Sequence, residues 1–317
     1  MTRWFVRGVA TALMCLFATS SMADEALKKV NIGVDWFVNP DHGPVIVALE
    51  RGYFTDAGLD VTIVTPTDTM DNVTMVLDGR AVIGMSDQPR TQIEIAGGSP
   101  LAVVGTLIPV PLNVVLVLED GDVQSIADLA GKKVGYADSE KVERALFELS
   151  LAAHGITMDD ITLVDVGFTM VPALLDGKVD ALTDVYRNFE PYQVDMAGKS
   201  PRVFDIENQA IPPYSELLYI VDRNNADADV VAKFLTAVER GARAIADDPE
   251  AAWLDFIKYD GKLDNTLNYK SWHATAPFFA LRPGLVDRAR FESFASFLSD
   301  HKLISSLPSA DAYFLDP

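Results

Sequence analysis

The chain has 317 residues, with 26 Lys plus Arg against 46 Asp plus Glu, and a single cysteine. That length fits two domains or one large one, and a composition 49% apolar and 23% charged excludes a disordered or fibrous chain. A formal charge of −20 offers no basic face to nucleic acid or to anionic lipid, and one cysteine permits neither an intrachain disulfide nor a Cys-based zinc site.

The first residues have the build of an export signal. Arg3 and Arg7 precede the apolar run from Gly8 to Phe17, and Ser21-Met22-Ala23 offers small residues before Asp24. The run is too short to span a bilayer. Met14, not a small residue, precedes Cys15, so a lipid anchor is not expected. Residues 1–23 are therefore expected to be a signal peptide. Its removal takes two arginines and the only cysteine, leaving a thiol-free and more acidic chain.

Beyond it, strand-like and helix-like stretches alternate. Lys29 to Asp35 is an alternating strand, Pro44 to Gly52 a helix stopped by glycine, and Asp60 to Thr65 a second strand. Met70 to Gly79 reads as a short helix and Ala81 to Met85 as a third strand. Such a run requires crossovers, hence a parallel sheet. The plan then repeats. Leu112 to Leu118 is extended, Gly131 to Tyr136 is a turn leading into a strand, and Lys141 to His154 is an amphipathic helix. Ile161 to Val166 is a strand, a helix begins at Met170, and Val179 to Leu182 is a strand. Leu217 to Val221 is extended, and helices follow at Asp229 to Ala246, Pro249 to Lys258 and Arg288 to Asp300. Two α/β units with later helices predict two lobes around a cleft, lined by the loops beyond the strands.

No familiar catalytic pattern stands out. His42, His154, His273 and His301 are scattered, with no H-E-x-x-H pair. Neither a phosphate-binding glycine loop nor a G-x-S-x-G elbow occurs. No enzyme is required, and no cofactor or metal is expected.

A resemblance starts at Val34-Asp35-Trp36-Phe37-Val38-Asn39-Pro40-Asp41-His42-Gly43-Pro44. This segment resembles the D-W-x-x-N-x-x-H stretch of ABC-transporter substrate-binding proteins of the ThiY type, pyrimidine-binding relatives of the eukaryotic thiamine-pyrimidine synthases. Ala48 to Phe54 with Gly58-Leu59-Asp60 is similar to A-x-x-x-G-Y-F…G-L-D, and Asp128 to Tyr136 to D-L-x-G-K-K-I-G. Tyr186-Arg187-Asn188-Phe189-Glu190, Pro213 to Leu217 and Ser271 to Phe279 resemble further stretches of that type, in order along the chain.

The resemblance implies a type II periplasmic-binding-protein fold, two α/β lobes with a ligand cleft between them. One lobe is expected from 24–113 and 219–317, the other from 114–218, with crossings near Leu112 to Val117 and Ser215 to Val221. It implies a monomeric periplasmic carrier that hands a thiamine-precursor pyrimidine to an ABC transporter permease in the inner membrane. Within that reading Trp36 is the aromatic plate, or else a core tryptophan. Asn39 meets the ring edge or turns the chain before Pro40. His42 lines the pocket or starts a helix; in the resembling synthases the matching histidine is consumed as the pyrimidine source. Glu190 is the carboxylate for the ligand amino group, with Tyr186 or Phe189 as a second plate and Asn188 in support. The alternative for Glu190 is a surface pair with Arg187. Tyr214 and Glu216 touch ligand or brace the hinge. Ser86 and Asp87 follow the third strand, while Asp138 and Ser139 fit better as helix caps.

Three rivals remain. A pyrimidine synthase would share the fold, but the resembling enzymes carry a cysteine cluster and act inside the cell. Riboflavin is also flat and suits aromatic plates. A sulfonate or nitrate anion would be repelled by Asp138-Ser139-Glu140 at a helix start.

Overall fold

The computed structural model describes residues 26–67, 71–137, 141–167 and 169–315, together with Met1. The expected signal peptide, apart from Met1, and Asp138 and Ser139 lie outside the described residues.

The first section runs β1 (Lys28–Gly33), α1 (Gly43–Glu50), α2 (Tyr53–Asp56), β2 (Leu59–Val64), α3 (Asp71–Leu77), β3 (Gly84–Ser86), α4 (Gln88–Ala96) and β4 (Leu101–Ile108). The second runs β5 (Asn113–Leu118), β6 (Lys133–Tyr136), α5 (Lys141–Ala153), β7 (Thr162–Asp165), α6 (Met170–Leu175), β8 (Ala181–Tyr186), α7 (Glu190–Met196) and β9 (Pro201–Asp205). The chain then makes β10 (Leu217–Asp222) and helices α8 (Ala228–Asp247), α9 (Pro249–Tyr259), α10 (Thr266–Thr275), α11 (Arg288–Asp300) and α12 (Ala310–Tyr313).

The two sheets follow one plan. In the first lobe β1 pairs β2 in parallel, the Ile32–Ile83 bridge joins β1 to the β3 strand, and β10 lies antiparallel between β3 and β4. In the second the order is β7-β6-β8-β5-β9, with β6 parallel to β7 and β8, and β5 antiparallel to β8 and β9. Each antiparallel strand is therefore delivered from the other lobe: β4 leads across into β5, and β9 leads back into β10. The parallel pairing expected for the first three strands is found, and each sheet adds one antiparallel strand, because the exchanged strand enters it from the opposite end. The two crossings, 109–112 and 206–216, join the lobes side by side.

Local chemistry accounts for the elements. Buried Val230, Phe234, Leu235, Val238, Ala242 and Ile245 recur every three or four residues along α8, and Asp227 caps its first amides. Helix α1 is buried from Gly43 to Ala48, so it reads as an apolar run more than as an amphipathic stripe. It packs closely on α8 where Gly241 lacks a Cβ; one placed there would come within 2.1 Å of the Pro44 carbonyl oxygen. Strand β8 runs on to Tyr186, four residues past the expected end. Between Leu182 and Val185 its register against β5 gains one residue, and Asp184 adopts φ +59°. That bulge broke the alternation on which a strand reading depends. Helices α4, α7 and α10 and strands β4 and β9 were also not foreseen: β4 is buried along its whole length, which removes any period. Among the described residues no helix is long and apolar enough to cross a membrane.

Candidate functional site

A cleft opens between the lobes where the loops beyond β1, β3, β6 and β8 meet the two crossings. It holds about 1350 Å³ of non-atom space, its open mouth included. The first lobe supplies Trp36, Asn39 and Asp87 to its lining, the second supplies Tyr186, Phe189 and Glu190, and Tyr214 and Glu216 come from the return crossing. These eight expected residues are brought together. Ser86, His42 and Asn188 are not among the lining residues; each is fully or almost fully buried.

The first-lobe wall is a self-locking turn. Asn39 caps the short 3-10 turn at 40–42: its Oδ1 accepts the Asp41 N–H at 2.8 Å, and its Nδ2 donates to the Phe37 carbonyl at 3.3 Å. His42 Nδ1 accepts the Asn39 N–H at 3.2 Å. Pocket contact by His42 is corrected on this geometry, since the ring is turned into the fold as a brace. Asp87 caps α4 by accepting the Arg90 N–H at 2.7 Å. Ser86 ends β3 with its hydroxyl buried.

Asn188 is corrected in a similar way. From the second lobe its Nδ2 donates to Asp41 Oδ1 at 2.6 Å and to Thr275 Oγ1 at 2.7 Å, both in the first lobe. It is an inter-lobe tie. Lys270 and Asp195 pair alongside it at 2.6 Å, and the Arg187 guanidinium lies over the Phe278 ring. Arg187 pairs with Glu207 at 3.0 Å and donates to the Pro111 carbonyl, so the alternative of a surface pair with Glu190 does not form.

Glu190 opens α7 and its Oε2 accepts the Tyr186 N–H at 2.8 Å. Burial pushes its carboxyl up to about 7, against the pull of those amides. Glu216 Oε2 accepts the N–H groups of Leu112 and, at 3.0 Å, Asn113, so it pins the outward crossing to the return crossing. The Tyr186 hydroxyl also bonds to it, and burial carries its carboxyl up to about 8. Asp41, buried beside Asp35, is raised to about 6.

Sequence reasoning passed over Asp35, Asp41, Glu143 and Asp184, which also line the cleft. Two of them, Asp35 and Asp41, stand in the segment after β1, where their signal was present as carboxylates clustered beyond a strand end; Asp184 lies at the β8 bulge and Glu143 on α5. With Asp87, Glu190 and Glu216 they make an acidic wall. Arg90 is the one Lys or Arg among the lining residues, and its Nη1 donates to Asn72 Oδ1 at 2.6 Å. Among the described residues no His, Cys, Asp and Glu group could hold a metal ion.

The profile of the family described as NMT1/THI5 like matches residues 39–252, the stretch that carries most of this cleft. The chain belongs to that family. A protein of Haemophilus influenzae whose name ties it to thiamine biosynthesis is similar to this NMT1/THI5-like chain, 35% identical over 92% of it and 93% of the relative. The formylaminopyrimidine-binding protein of Halalkalibacterium halodurans is 31% identical over 72% of this chain and 70% of its own. Among solved structures, the periplasmic aliphatic sulphonate binding protein of Escherichia coli superposes with a TM-score of 0.70 at 17% identity, covering 90% of this chain and 97% of that one. The two-lobed α/β architecture of this NMT1/THI5-like chain is that of type II periplasmic binding proteins.

Proposed function

We propose that this chain is the substrate-binding component of an ABC importer, working in the periplasm, and that it captures an unphosphorylated thiamine-precursor pyrimidine. One observation carries the reading: the cleft combines aromatic rings from both lobes with an acidic wall holding carboxyls that titrate near neutral pH. An aminopyrimidine presents an amino donor beside a ring-nitrogen acceptor. A carboxyl near its midpoint offers the matching acceptor and donor, and a ring plate covers the flat faces. Trp36 and Phe189 are the proposed plates, from opposite lobes, and Glu190 the proposed edge partner. The ligand then favours a closed state by touching both walls at once.

The same wall disfavours the sulfonate and nitrate alternatives, because carboxylates repel an anion in a low-dielectric cleft. This argument replaces the one from Asp138-Ser139-Glu140, and it leaves the low-identity sulphonate-binding neighbour as a likeness of fold. The printed function of the Halalkalibacterium relative supports the pyrimidine class. A binding role, with no chemistry performed, fits the enclosure of His42 in the fold.

Thermal-shift screening tests this directly. Aminopyrimidines and formylaminopyrimidines should raise the melting temperature, by an amount that grows with the logarithm of ligand concentration above Kd, with taurine, nitrate and riboflavin inert. A shift by a sulfonate with none by any pyrimidine would overturn the proposal.

A further inference from the structure

His42 is 0% exposed, yet both of its ring nitrogens are engaged. Nδ1 accepts the Asn39 N–H, so the ring proton sits on Nε2 and is donated to Asp35 Oδ1 at 2.9 Å. Asp35 is different: its side chain remains 15% exposed and lines the cleft. A backbone N–H thus sets the tautomer, the tautomer sets the ring's donor, and the donor sets the carboxylate's orientation. The backbone N–H is itself held by the capped turn at 39–42. The Asn39 N–H to His42 Nδ1 bond closes the capping box of the 40–42 turn that leads into α1, but the Nε2 bond to Asp35 is no part of that cap and serves neither helix.

The geometry points to Asp35 as a second carboxylate, taking the amino N–H that Glu190 leaves free and so selecting an exocyclic amino group on the ligand, and to His42 as the positioning residue that aims it without touching the ligand. This rests on the pyrimidine reading above and adds a specificity to it. A 4-oxo group in place of the 4-amino group brings a carbonyl oxygen against a fixed carboxylate, with Asp41 and Asp87 nearby to reinforce the repulsion. The amino group brings an N–H instead.

The test is titration calorimetry with 4-amino-5-hydroxymethyl-2-methylpyrimidine and its 4-oxo counterpart on the full exported chain. The wild type should prefer the amino compound by about tenfold or more. Asp35→Asn should erase most of that preference. His42→Leu should erase a comparable part, with little further loss in the double variant, as expected of residues acting in series. His42→Gln, whose amide can accept from Asn39 and donate to Asp35, should restore part of it and serves as the folded control if the leucine variant does not fold. Equal weakening of both ligands by His42→Leu, with the preference intact, would make His42 a structural residue only and overturn the inference while leaving the pyrimidine reading standing. Failure of the wild type to bind either compound would overturn both.

Discussion

The two lobes share one strand order but build their cleft walls by different means. In the first lobe the wall is a capped turn, locked through Asn39, His42 and Asp35 and backed by α1 and α8. In the second it is a bulged strand end and a helix first turn, where Asp184 and Glu190 are placed by backbone geometry and amides. Side chains hold the first wall in shape, and the main chain holds the second. Under the carrier role proposed above, this division would keep one wall preformed while the other meets the ligand through groups whose charge adjusts.

Glycine substitution should separate the lobes most sharply. Gly241→Ala in the first lobe drives a Cβ against the Pro44 backbone, whereas Gly135→Ala in the second meets Leu182 Cδ2, a movable side-chain end, at 2.8 Å. The first should cost about 3 kcal/mol or prevent folding, and the second about 1 kcal/mol. Urea midpoints at unchanged slope measure both; similar costs would break the comparison.

pH comes next. Glu190 binds its proton more tightly folded, at about 7, than at its ordinary 4.5. Its contribution is complete below about pH 4.5 and is lost as the pH rises through 7, a swing of up to about 3 kcal/mol. Glu216, raised to about 8, acts in the same direction. Melting temperature should therefore fall between pH 5 and 8, and Glu190→Gln should flatten that fall. An unchanged slope in the variant would remove Glu190 from the account.

The inter-lobe tie should matter less. Asn188→Ala deletes the buried donor to Asp41 and Thr275 and should cost about 1–2 kcal/mol, while Lys270→Ala, in the exposed pair with Asp195, should cost under about 0.5 kcal/mol. Thermal melts of the two variants decide it, and a reversed order would mean that the exposed pair carries the contact.

The smallest effect lies in the first-lobe core. The Tyr219 hydroxyl is buried with no hydrogen-bond partner among the described residues. Tyr219→Phe should be neutral or stabilising by about 0.5 kcal/mol in the same denaturation assay; a marked loss would reveal a bond through a buried water.

Much of the fold was legible in the chain. Periodicity marked β1, β2, α5, α8, α9 and α11 to within a few residues, because each has one buried and one exposed face. The elements missed were those without such contrast: β4 is buried throughout, α4 carries Gln88, Arg90, Thr91 and Gln92 inside the fold, and the bulge interrupts β8. The cleft residues were legible as a set, because ligands of α/β sheets gather beyond strand ends, but not one by one. Asn188 and His42 looked the same in sequence as Asn39 and Glu190, and only packing turned the first two inward.

Length, composition and alternation alone determined two α/β units, an acidic chain and the loops in which a site would lie. These are local or summed properties, which a sequence carries directly. The tertiary structure alone decided that an antiparallel strand enters each sheet, that Glu216 pins the crossings, and that carboxylates distant in sequence share one cleft wall. Raised carboxyls and selected tautomers arise from burial and from partners brought together by folding, and neither exists until the chain has closed on itself.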